Sequence, residues 1–131
     1  ALKGFDNFDL AACERAGVQV SFVPDLLTEP TAELAIGLAI AAGRHVLEGD
    51  RRVRAGYAGW RPALYGTGLH GSTVAVVGLG AVGRAIVDRL QGFGCAEILG
   101  VDPQHRDART RAVGLRDALQ RAHYVLLAVP L

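Results

Sequence analysis

The stretch "VVGLGAVGRA" constrains this chain more than any other. It sets Gly78, Gly80 and Gly83 in a G-x-G-x-x-G pattern between "STVAVVG", an apolar run of the kind buried on both faces of a parallel sheet, and "AVGRAIVDRLQGFG", a helical pattern that ends in glycine. Each glycine has its own task. Gly78 permits a tight turn, Gly80 lets a pyrophosphate approach the backbone without meeting a Cβ, and Gly83 allows the helix to pack closely on the strand. The N–H groups of Ala81, Val82 and Gly83 then face the phosphates, and the positive end of the helix dipole favours such anions without a basic side chain.

Beyond the turn, "AEILGVD" is a second strand, and Asp102 at its end lies 19 residues after Gly83, where a carboxylate accepts hydrogen bonds from the hydroxyls of an adenosine ribose. NAD is therefore the expected cofactor, because a 2′-phosphate would meet like charge at Asp102; Arg106 compensates only if its loop turns back. "GLRDALQRA" predicts a short helix and "YVLLAVP" a third strand. Strand, helix, strand, helix, strand is the first half of a doubly wound, Rossmann-type parallel sheet, so the fold class is α/β.

Upstream, "DLAACERA" predicts a helix with Asp9 as its N-cap, and "GVQVSFV" at 17–23 predicts a short buried strand ended by Pro24. From Thr31 to about Tyr57 no residue interrupts a helical pattern, apolar through Ala42 and charged later, so one long helix is expected, with Pro30 in its first turn. Residues 58–71, "AGWRPALYGTGLHG", hold four glycines and a proline and read as a linker loop.

The chain has 131 residues, half of them hydrophobic, which suffices for one globular core. A net charge of +1 with both signs interspersed argues against a nucleic-acid-binding face, and Arg51, Arg52 and Arg54 read as solvated helix surface. The longest apolar run, "LAIGLAIAAG", is about half of what a bilayer crossing needs. No membrane association is expected, and a cytoplasmic location is. Cys13 and Cys95 show neither CxxC spacing nor matching histidines, so reduced, packed thiols are expected, with no metal site. The sequence lacks methionine and opens directly on "ALKGF", which predicts an internal part of a longer protein.

Three stretches, "TVAVVGLGAVGRAIVDRLQGFG", "YGTGL" and "LKGFDNFD", together resemble the D-2-hydroxyacid dehydrogenase family through nearly the whole chain. "LKGFDNFD" and "FVPDLLTEPTAELAIGLA" are similar to its phosphite-oxidising branch. The resemblance implies a substrate-domain remnant over 1–30, an interdomain helix over 31–57, a linker over 58–71 and the first half of the NAD-binding domain over 72–131. It implies that Lys3 and Gly4 hold the substrate, since an ammonium on a glycine turn, with neighbouring backbone N–H groups, suits a small tetrahedral oxyanion such as phosphite. Thr31 resembles a residue at the nicotinamide end of the cofactor, and Ala128, Val129 and Pro130 resemble a segment lining the adenine side. Trp60 and Tyr65 resemble residues bordering the substrate cleft, and packing of a glycine-rich loop explains them equally well. The family's catalytic histidine, glutamate and arginine fall beyond Leu131, and His45, His70, His105 and His123 match none of them. The chain alone is then expected to be inactive, and the full-length protein to be a homodimer.

The activity implied is oxidation of phosphite to phosphate with reduction of NAD. An NAD-dependent D-2-hydroxyacid dehydrogenase is the alternative within the enzyme class, with Lys3 tilting between them. A non-catalytic, corepressor-like NAD sensor is the alternative of another class, because the fold serves both.

Overall fold

The computed structural model describes residue 5, residues 7–23, 25–57, 59 and 64–130. Lys3, Gly4 and Trp60 lie outside the described residues.

Helix α1 spans Leu10–Arg15, and the Asp9 carboxylate caps it by accepting from the Ala12 N–H at 2.9 Å. Gly17, at φ +67°, turns the chain away from the helix end. The strand expected over 17–23 does not form. A β-branched run becomes a strand only when a neighbouring backbone pairs with it, and among the described residues none does, so Val18, Phe22 and Val23 stay exposed.

The expected long helix is two helices. Helix α2 runs Thr28–Gly43, starting before Thr31 with Pro30 in its first turn, and α3 runs Val46–Arg54; between them His45 adopts φ 53°. Tertiary packing causes the break. A Cβ on Gly43 would lie 2.0 Å from the Tyr124 hydroxyl, and one on Gly66 would lie 2.0 Å from the Gly43 carbonyl oxygen, so the segment before the sheet presses on the end of α2. Tyr124 fastens that segment by donating from its hydroxyl to the Thr67 carbonyl at 2.7 Å. Helix α3 carries charge on its surface, with Arg52 on Glu48 at 2.8 Å and Arg54 on Asp50 at 2.9 Å, each four residues apart.

The sheet comes next: β1 Thr73–Val77, α4 Ala81–Leu90 with a short 3₁₀ turn Gln91–Phe93, β2 Glu97–Val101, β3 Arg111–Ala112, α5 Leu115–Arg121 and β4 Tyr124–Leu127. All pairings are parallel in the order β3-β2-β1-β4, with Ala75 opposite both Leu99 and Val125. The alternation along β1 supplies both layers. Val74 and Val76 pack with Ile36 of α2 and Ile86, Val87 and Leu90 of α4, while Ala75 packs on the other face with Leu99 and Ala118 of α5. Burial of each large aliphatic side chain contributes about 1.5–3 kcal/mol, so the α2–α4 face dominates the core. Helices α2 and α4 are also joined across their surface by Arg89, which donates to Glu29 at 2.6 Å and Glu33 at 3.4 Å. Among the described residues, no helix is long and apolar enough to cross a membrane.

Strand order reverses at β1, with β2 on one side and β4 on the other. The carboxyl ends of β1 and β4 lie side by side there, at the kind of switch point where doubly wound sheets take their ligands.

Candidate dinucleotide-binding site

The three glycines of the β1–α4 turn differ in what surrounds them. Gly78 has φ +92°, and a Cβ on it would lie 2.5 Å from the Ala128 carbonyl oxygen, so both conformation and the passage of the chain after β4 require glycine. A Cβ on Gly83 would lie 1.9 Å from the Gly78 carbonyl oxygen, which is the close approach of helix to strand. A Cβ on Gly80 would meet no protein atom within 4 Å. The space beside Gly80 is open, as an approaching pyrophosphate requires.

Gly80 is the N-cap of α4, no side chain caps it, and the first turn holds no acidic residue. The N–H groups of Ala81, Val82 and Gly83 form that first turn and have no partner within the helix. An uncapped, charge-free helix start beside an open glycine fits a dinucleotide's diphosphate.

Asp102 follows β2 with its side chain only 10% exposed. Its Oδ2 accepts from the Leu79 N–H at 2.7 Å, and its Oδ1 accepts from the Gln104 and His105 N–H groups at 2.8 Å each. The Leu79 N–H, followed by those of His105 and Gln104, holds the carboxyl well below the usual carboxylate range. His105 places Nδ1 3.2 Å from Oδ1. Arg106 turns back on the same loop, where its Nη1 donates to the carbonyl oxygens of Asp102 at 2.5 Å and His105 at 2.8 Å.

Gly78, Gly83, Asp102, Ala128 and Val129 therefore converge at the carboxyl ends of β1, β2 and β4, with Gly80, Ala81 and Val82 on the rim. Pro130 continues the same segment and is exposed. Thr31 is exposed on α2, and no hydrogen bond among the described residues ties its side chain to the turn. Tyr65 is 82% exposed. Of the other histidines, His123 accepts the Thr73 N–H on Nδ1 at 3.0 Å and so braces β1, and His70 packs its ring against Gly94. The partners of Asp102 escape a motif search because they are backbone groups. The legible trace is "DPQH", an aspartate set to bond the N–H groups two and three residues on.

Fold, turn and open helix start together define a dinucleotide-binding domain of the doubly wound class. Residues 36–131 match the model of the D-isomer specific 2-hydroxyacid dehydrogenase family, NAD binding domain, and the chain belongs to that family. Glyoxylate reductase of Pyrococcus horikoshii is 37% identical over 98% of this chain and 41% of its own length. The TT0316 protein from Thermus thermophilus superposes with a TM-score of 0.89 at 34% identity, covering 98% of this chain and 42% of that one. The pyruvate reductase of Chlamydomonas reinhardtii superposes with a TM-score of 0.79 at 34% identity, covering 98% and 39%. The chain thus spans about two fifths of the length of the relatives it matches.

Proposed function

We propose that the full-length protein is an NAD-dependent dehydrogenase that oxidises phosphite to phosphate, the diphosphate of the cofactor lying on the Gly78–Gly83 turn and Lys3 with Gly4 receiving the substrate. One observation carries the substrate: the stretch "LKGFDNFD", which resembles the phosphite-oxidising branch and places the chain's single lysine next to a glycine in sequence. NAD, when bound, accepts a hydride at its nicotinamide. In the net reaction phosphite, water and NAD would give phosphate, NADH and a proton, with NAD held by the Gly78–Gly83 turn and Asp102.

The residues here bind and orient. The first turn of α4 offers N–H groups to the diphosphate, and the Asp102 carboxylate accepts from the adenosine ribose. The chain after β4, at Ala128, Val129 and Pro130, borders the adenine side. Thr31, exposed on α2, would meet the nicotinamide end, and the Lys3 ammonium would neutralise the oxyanion beside it.

A second reading rests on the relatives named glyoxylate reductase and pyruvate reductase: NAD-dependent interconversion of a 2-oxoacid and a 2-hydroxyacid. Steady-state kinetics of the full-length protein decide between them. Phosphite with NAD is expected to give the higher kcat/KM, and Lys3→Ala is expected to lower it about ten- to a hundredfold with NAD affinity nearly unchanged, as for loss of a charge-assisted contact. Faster reduction of glyoxylate or pyruvate by NADH, with Lys3→Ala near normal on phosphite, moves the assignment to the 2-hydroxyacids. Tight NAD binding with no turnover of either class identifies a sensor.

A further inference from the structure

Asp102 is placed to do more than meet a ribose. Each carboxylate oxygen offers about two lone-pair sites. Oδ1 is used up by the Gln104 and His105 N–H groups at 2.8 Å, with the His105 ring nitrogen at 3.2 Å. Oδ2 spends one site on the Leu79 N–H at 2.7 Å and keeps one for a ribose hydroxyl. Leu79 stands between Gly78 and Gly80, and its side chain is buried beneath the turn, 1% exposed. Its peptide therefore sets the path of the chain from the Gly78 bend into the uncapped start of α4. Two backbone bonds flank it: the Gly78 N–H donates to the Val101 carbonyl at 2.8 Å on the β2 side, and the Ala128 N–H to that of Val77 at 2.8 Å on the β4 side.

From this arrangement we infer that Asp102 is a positioning residue for the diphosphate site: its carboxylate ties the Leu79 peptide to the loop after β2 and holds the glycine turn in the shape that receives the pyrophosphate. The inference rests on the NAD-binding reading and assigns Asp102 a role that does not pass through the ribose. It has a consequence a ribose acceptor alone lacks, because binding of a ligand without ribose hydroxyls must also depend on Asp102.

The test uses the full-length protein, Asp102→Asn, and two probes: NAD, and NAD whose adenosine ribose lacks both hydroxyls. Asparagine keeps an oxygen for the Gln104 and His105 N–H groups but turns its NH₂ toward the Leu79 N–H, a donor against a donor. Calorimetry is expected to show the dideoxy probe losing affinity about tenfold, and NAD losing at least as much because it gives up the ribose contact as well. Hydrogen exchange is expected to show the Leu79 amide losing protection. Unchanged affinity for the dideoxy probe with weaker NAD binding overturns the inference, because Asp102 then acts on the hydroxyls alone. If the wild type binds neither probe, the NAD-binding reading has failed, and exchange at Leu79 judges the tie separately: an unchanged rate in the variant refutes it. Should Asp102→Asn fail to fold by circular dichroism, Asp102→Glu keeps the charge but moves the carboxylate a methylene away from Leu79, and full retention of dideoxy-probe affinity there refutes the tie.

Discussion

Three glycines in one turn answer to different neighbours, so one substitution gives different results at each. Gly78→Ala meets a positive φ and the Ala128 carbonyl, and Gly83→Ala meets the Gly78 carbonyl, so each is expected to lower stability by about 1–3 kcal/mol in urea unfolding. Gly80→Val meets no protein atom where its Cβ would stand. It is expected to leave the unfolding midpoint nearly unchanged while abolishing NAD binding in calorimetry, because the side chain fills the pyrophosphate's approach. Unaltered NAD affinity in Gly80→Val would remove this turn from the site. The spacing of Gly78, Gly80, Gly83 and Asp102 was legible in the sequence because each role depends on side-chain size or charge. The tie from Asp102 to Leu79 was not, since a backbone N–H donor has no letter of its own.

Between β2 and β3 one ion pair holds a loop to a helix. Arg109 donates from Nη2 to Asp107 at 2.7 Å and from Nη1 to Asp88 of α4 at 2.7 Å, and the Asp107 carbonyl accepts the Thr110 hydroxyl. The Arg109 guanidinium, aided by its own N–H, lowers the Asp107 carboxyl from 3.8 to about 2. A depressed carboxyl stabilises the fold above its unfolded value and loses that contribution as pH falls through the folded one. Asp107→Asn is therefore expected to be less stable than wild type near neutrality, with the gap closing as the pH falls from about 4 to about 2 in urea titrations. A gap independent of pH would show that the carboxylate charge is not what holds the loop. At this scale β1, α4, β2, α5 and β4 were all legible: in β1, β2 and α4 the apolar pattern matches burial, whereas α5 and β4, which bury little beyond Ala118 and Leu126, were marked by their place in the strand–helix alternation. The others depended on distant partners. Among the described residues, the stretch 17–23 has no neighbouring strand, the break at His45 comes from Gly43 meeting Tyr124 and Thr67, and β3 is two exposed residues recognisable only by pairing with Leu99 and Gly100.

For the molecule as a whole, cofactor choice follows from charge at the end of β2. On the proposed reading a 2′-phosphate would meet the Asp102 carboxylate, and Arg106 is engaged on carbonyl oxygens of the same loop. If the full-length protein turns over as proposed, its kcat/KM is expected to be higher with NAD than with NADP, and equal efficiency would mean that Arg106 governs the choice. The strand order also has a kinetic meaning. Strand β1 pairs Thr73 with Glu97 across one helix, and Val74 with Tyr124 across a loop roughly twice as long. Doubling a loop costs only about 0.6 kcal/mol of closure entropy, so length alone does not set which pairing forms first. The crossovers do: α4 brings Ile86, Val87 and Leu90 into the core, whereas α5 buries only Ala118. The β1–α4–β2 unit should therefore condense as the nucleus, with β4 docking late. In pulse-labelled refolding the amides of β2 are expected to gain protection before those of β4. Until β4 arrives nothing presses on Gly78 from the Ala128 side, so the chain acquires its sheet before it acquires the shape that recognises a nucleotide.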